Sequence, residues 1–336
     1  VSSISGLSAA QIAKLSTAFI QNLTADQLQE LKTTQISALS TAGVSILSTT
    51  QIGALSTNQL KALTTSQVKA LTTDQVTFLA TGQVAFTGSQ LAVLLTAQLE
   101  ALSTTAIAGL DTSQLSGLTA SEISNLSADQ FAALTSTQVG KLTTAQIRGL
   151  NTTEVASLSL TQLGGLSTVQ IGAFTTTAMG ALTSESLLAL SSTQVKGFST
   201  AAIASITATQ FGDISTTLLA ELSTTQLKSV SAANFNILTT TDVAALDTTL
   251  IAALAVSQIA GLDATTIGAL TSTQTSALAS TQLNALSAAA LAVLSTTDVH
   301  GLTTGQVSGL NNTQVERLTP TQVAALSSTQ LGAISA

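Results

Sequence analysis

Apolar residues recur along this chain at alternating spacings of five and three. Counted by eights, the first of each pair runs from Leu7 to Leu79, resumes at Phe86 after one seven-residue repeat, and continues from Leu94 to Ile334. Every one of these 42 first positions is Leu, Ile, Val or Phe, so the repeat is an architecture and not a local motif. Leu63-Thr64-Thr65-Ser66-Gln67-Val68-Lys69-Ala70 is a clean copy, and it numbers the repeat from 1 to 8. Position 6 is the second apolar site in every complete repeat except at Thr275.

The polar positions say which element the pattern makes. Position 2 is Ser, Thr, Asp or Asn outside Lys32, Ala80, Leu95, Ala255 and Ala279. Position 5 is Gln in 26 of 41 repeats and Glu at Glu122 and Glu154, which makes the typical repeat an S/T-x-x-Q capping box. Positions 1 and 6 then flank the helix start as a hydrophobic staple. A new helix start every eight residues confines each helix to about positions 3 to 8.

Other residues sort accordingly. The single proline, Pro320, falls at position 3, the first helical residue, where a missing N–H is harmless. Of 21 glycines, 17 fall at positions 7 or 8, where a short helix must end and turn. Acidic residues concentrate at positions 2 to 5, and every Lys or Arg except Lys32 lies at positions 7 or 8, as the helix dipole favours. A β-solenoid is the alternative suggested by the Thr, Val and Ile content. The five-and-three spacing and the Gln at a would-be turn argue against it. The expected fold is therefore an all-α solenoid or superhelix of very short helices, one per eight-residue repeat. The expected organisation is one continuous array, 1–336, with a one-residue register slip at 79–86. A single repeat is far too short for an isolated helix, so stability must come from stacked neighbours.

Composition removes several function classes. Charged residues make up 7% of the chain and the net charge is −7, which is not a nucleic-acid-binding profile. Without Trp or Tyr, stacking sites for bases or sugars are not expected. No cysteine means no disulfide or thiolate metal site. No apolar run approaches a membrane span; Leu250 to Val256 and Ala288 to Leu294 are the longest. The surface left outside positions 1 and 6 is neutral and offers little to prevent self-association. The sequence begins at Val1 and both ends fall in mid-repeat, so more repeats or neighbouring copies are expected to cover them.

Candidate chemistry is sparse. His300, the one histidine, sits at position 7 and is expected to be solvated; alone, it makes no zinc site. Asp242 and Asp298 stand at the Gln position, and Asp111, Asp247 and Asp263 at the cap, where capping explains them. No catalytic, cofactor-binding or metal-ligating residue is assigned, no cofactor is expected, and the chain is not read as an enzyme. Asn22, Asn125, Asn151 and Asn311 head glycosylation triplets, which Ser/Thr abundance supplies by chance. Two irregular zones stand out: Leu79 to Leu95, where a bend or a partner contact through exposed Leu95 is expected, and Phe174 to Thr241, where Phe174, Met179, Phe198, Ile206, Phe211, Ile214, Val230 and Phe235 imply core repacking.

The Leu-Thr-Thr-x-Gln-Val-x-Ala-Leu repeat, nearly pure at Leu63–Leu79 and Leu318–Leu326, resembles short repeats of very large exported bacterial surface or fibre proteins. That resemblance implies an extracellular or cell-surface location and a structural role, as a filament, tube or stalk. The expected partner is the chain itself, end to end or side by side, with no nucleic acid and no membrane insertion. The alternative is a binding module: an adhesin stalk, or an ice-binding surface of Thr at positions 3 and 4.

Overall fold

A computed structural model describes residues 4–80, 85–213 and 219–334. Among them there is no strand: the chain is a succession of helices of four to seven residues, one per repeat, after a single 3-10 turn at Ile4–Gly6. Helix Thr65–Lys69 is representative. Its cap Thr64 is extended, with φ −68° and ψ 157°, and the Thr64 hydroxyl accepts the Gln67 N–H at 3.2 Å. The Gln67 Oε1 accepts the Thr64 N–H at 2.7 Å, completing the capping box. Lys32, Leu95, Ala255 and Ala279 offer no side-chain acceptor, yet the Gln back-bond persists at each, at 2.7 Å. Pro320 opens helix Pro320–Ala325. A helix typically closes on a 3-10 bond from the next repeat, as where the Leu71 N–H reaches the Val68 carbonyl at 3.1 Å.

The described residues form two compact units, Val1–Gln170 and Ile171–Ala336. Within each, helices stack on the helix three repeats away: Ala120–Ser124 meets Thr144–Gly149, and Ser272–Ala277 meets Thr296–Gly301. The chain thus regains its lateral position after three repeats, three times eight or 24 residues. Core aromatics register the same step. Phe174 and Phe198 stack at 6.5 Å, and Phe211 and Phe235 meet edge-on at 5.7 Å, each pair 24 residues apart at matching repeat positions.

The core is the line of position-1 and position-6 side chains. Through most of the array position 6 is sealed, with Ile36, Val68 and Ile147 at 0% exposure, and position 1 nearly so; towards the last repeats Val323 and Leu331 at position 6 are exposed. Thr275, the polar exception, is also fully buried, and its hydroxyl donates to the Thr271 carbonyl at 3.1 Å. Around Met179, Val195, Phe198, Ile206 and Phe211 an apolar gap of about 20 Å³ remains, room for a water-sized molecule at most. Changed side-chain volumes in this zone have been taken up by packing.

Glycines stand at helix ends as expected, but without a left-handed backbone. Gly109, Gly140, Gly165, Gly261 and Gly309 end their helices in ordinary right-handed geometry, with φ between −65° and −91°. Several instead permit close approach between stacked turns. A Cβ on Gly117 would lie 2.4 Å from the Gly88 Cα, and one on Gly140 would lie 2.6 Å from the Gly165 oxygen. Others lie beneath a large neighbour 25 residues on: Gly53 under the Phe78 ring, Gly212 under Ile237, Gly268 under Val293.

Thr81–Val84, within the register slip, lie outside the described residues. Beside them helix Thr73–Leu79 extends to seven residues, and Ala80 at its end is buried. Leu95 is the exposed cap of helix Thr96–Glu100, as expected. Ile214 of the second irregular zone also lies outside the described residues.

Candidate functional site

The most specific polar arrangement in the molecule is built from the position-5 glutamines. Capping uses only their Oε1. The Nε2 amide is free to donate, and the stacking aims it at the turn below. Gln67 Nε2 donates to the Leu39 carbonyl at 2.7 Å and the Ile36 carbonyl at 2.9 Å, 28 and 31 residues back. Those acceptors are position 1 three repeats earlier and position 6 of the repeat before it, where one helix ends and the next begins. Helix ends leave carbonyls without intrahelical partners, and the Gln amide supplies the missing donor.

The arrangement recurs as a ladder. In the first unit, rungs run from Gln35 on Leu7 to Gln170 on Leu142. In the second they run from Gln210 on Leu182 to Gln330 on Leu302. These glutamines are nearly all buried; Gln67 is 1% exposed. Beyond the register slip the rungs resume with a spacing one residue shorter. Gln90 reaches Leu63 and Leu60, 27 and 30 residues back, and Gln98 reaches Leu71 and Val68 at the same separations. By Gln114, which bonds the Phe86 carbonyl at 2.7 Å, the spacing is 28 again.

Position 7 makes a second, outer connection with position 8 three repeats on. Asn236 Nδ2 donates to the Gly261 carbonyl at 3.0 Å. His300 Nδ1 lies 3.1 Å from the Ala325 carbonyl, so the histidine, although exposed as expected, also touches the next turn. Lys196 and Glu221, related in the same way, form an exposed ion pair at 3.6 Å.

The carboxylates singled out from sequence are dispersed along the array as caps. Asp111 accepts the Gln114 N–H at 2.7 Å. Asp298 receives the Ser295 N–H at 2.8 Å and its hydroxyl at 2.6 Å; Asp242 is bonded likewise by Thr239. Hydrogen bonds from the Thr249 hydroxyl and N–H hold Asp247 below the usual carboxylate range, and those from the Thr266 N–H and hydroxyl do the same for Asp263. Among the described residues no three His, Asp or Glu side chains converge as a metal site would need, and no helix is long and apolar enough to cross a membrane.

Glu154 is the exception among these. It occupies a ladder position, is 1% exposed, and is the one buried rung with an oxygen lacking any hydrogen-bond partner among the described residues. Its capping half is intact, Oε2 accepting the Asn151 N–H at 2.8 Å. Burial pushes its carboxyl up to about 7, against the lowering effect of the Asn151 bond.

Sequence reasoning found the capping glutamines but only one of their two functions. A comparison with curated proteins gives no match. Four segments, residues 20–57, 56–86, 107–144 and 276–312, match the family described as ALTTAQ repeat. Its six letters correspond to position 8 and positions 1 to 5 of the octapeptide, the stretch that carries the core leucine, the cap and the ladder glutamine. The chain is a helical repeat protein, and these four segments are similar to that family.

Proposed function

We propose that this protein is structural: a self-associating extracellular or cell-surface filament, tube or stalk whose length is set by the number of stacked repeats. One observation carries the reading. Each ladder rung gives the turn below the same donor that the turn above gives to it, so the contact is head-to-tail and has no inherent stopping point. A contact of that kind suits both continuation within a chain and end-to-end joining of copies. The sparse surface charge supports the reading, since like-charge repulsion between copies is weak. No catalytic role is assigned.

The test is electron microscopy and sedimentation velocity of the purified chain at micromolar concentration without added ligand. Filaments that lengthen with concentration and keep the three-repeat step across joints are the expected outcome. A concentration-independent monomer would remove self-association and leave a spacer. The ice-binding alternative calls for a uniform Thr surface, yet Leu160 at position 3 and Val169 at position 4 are exposed among those rows. Thermal hysteresis of a dilute solution would support it over the structural reading.

A further inference from the structure

We propose that Glu154 is a proton-binding site: its buried carboxyl carries a proton that it donates across the stack to the Leu126 carbonyl, replacing the amide hydrogen that glutamine supplies at every intact rung. The placement follows from the ladder. Twenty-eight residues back from Glu154 is Leu126 and 31 back is Ile123, the same two acceptors that Gln146 meets at Leu118 and Leu115 at 2.7 and 2.8 Å. Glu154 uses Oε2 for the cap, as glutamine uses Oε1, which leaves Oε1 where an Nε2 would stand.

A bare carboxylate there opposes two carbonyl oxygens with no hydrogen between them. The Ile123 carbonyl already accepts the Leu126 N–H at 3.2 Å, while no donor among the described contacts reaches the carbonyl of Leu126. The third carbonyl of the junction, Ser124, is taken by Asn151 Nδ2 at 3.1 Å. A buried acceptor without a donor is costly, and a proton on Oε1 satisfies both oxygens at once.

The neighbouring charges do not supply an alternative partner. Glu122 on helix Ala120–Ser124 is occupied with the Thr119 N–H, Asp129 on Ala128–Ala132 and Arg148 on Thr144–Gly149 are exposed, and Leu160–Gly164 carries no charge. No charged group contributes to the upward shift of the Glu154 carboxyl, which comes from burial. The sign of the pH effect follows. A folded value of about 7 above the ordinary 4.5 means that the folded state holds the proton more tightly than the unfolded one. Stability at this junction is then full below the ordinary value, falls as pH rises towards 7, and levels off above.

The experiment is hydrogen exchange with mass spectrometry on the full chain, wild type against Glu154→Gln, from pH 5 to 8.5, with intrinsic rates corrected for pH. In the wild type, opening of 119–126 and 151–158 should rise by up to about tenfold per pH unit between the ordinary glutamate value and about 7. Glu154→Gln should stay flat and match the wild type at pH 5. The reverse variant Gln146→Glu should acquire the same pH dependence one rung earlier. Parallel profiles for wild type and Glu154→Gln would overturn the proposal. So would recovery of wild-type protection at pH 8.5 on adding calcium, sodium or potassium chloride, which would make the ligand a metal cation.

Discussion

The Thr64 hydroxyl serves one N–H of its own helix, whereas Gln67, three residues on, connects that helix start to two carbonyls of another turn. The two side chains should therefore differ in worth. Thr64→Ala removes a cap and should cost about 1 kcal/mol. Gln67→Ala removes the back-bond and also strands the Leu39 carbonyl in a buried junction, so its cost should reach about 3 kcal/mol. Hydrogen exchange across residues 36–39 separates them: Gln67→Ala should expose that remote segment, and Thr64→Ala should leave it protected. Equal responses there would mean that the ladder adds nothing beyond capping.

At the scale of the helix, glycine positions that look alike in the octapeptide have opposite requirements. Gly164, inside helix Leu160–Gly164, has open space around its missing Cβ, so Gly164→Ala should stabilise by about 0.5–1 kcal/mol. Gly117→Ala would drive a methyl into the Gly88 backbone and should destabilise by at least as much as typical overpacking, about 1–3 kcal/mol. The three atoms nearest a Cβ on Gly53 all belong to the Phe78 ring, so Phe78→Ala should rescue Gly53→Ala, and a double-mutant cycle should show strong coupling. Denaturation midpoints of these four variants and of the Gly53→Ala/Phe78→Ala double check all three statements. They also mark where the sequence was readable. The cap at position 2, the apolar pair at positions 1 and 6, and the one-helix-per-repeat rule are local, and Leu63–Ala70 displays them within eight residues. The second bond of Gln67 was hidden because its acceptors lie 28 and 31 residues away, and a main-chain carbonyl leaves no trace in side-chain identity. The stacking step did leave a trace, in Gly53 with Phe78, Gly212 with Ile237, and Phe174 with Phe198, but only as paired exceptions at separations longer than the repeat.

Over the whole molecule, stability rests on burial and uncharged hydrogen bonds. With one ion pair among the described residues, and that one exposed, the melting temperature should move by no more than about 2 °C between 10 and 500 mM NaCl. A larger shift would point to charge coupling along the array. The hydrogen bonds between turns described above span about three repeats, 28 to 31 residues at the regular rungs, so folding should spread from any well-formed segment and unfolding need not be all-or-none. The register slip has a consequence for heredity. Gln90 and Gln98 find their carbonyls across a repeat that is one residue short, so an in-frame loss of one residue elsewhere in the array should leave the rungs that span it able to form. Gain or loss of whole octapeptides by misaligned recombination disturbs the ladder less still. A gene of this design can change its length readily, and lineages can differ in how many turns they carry while every turn keeps the same grammar.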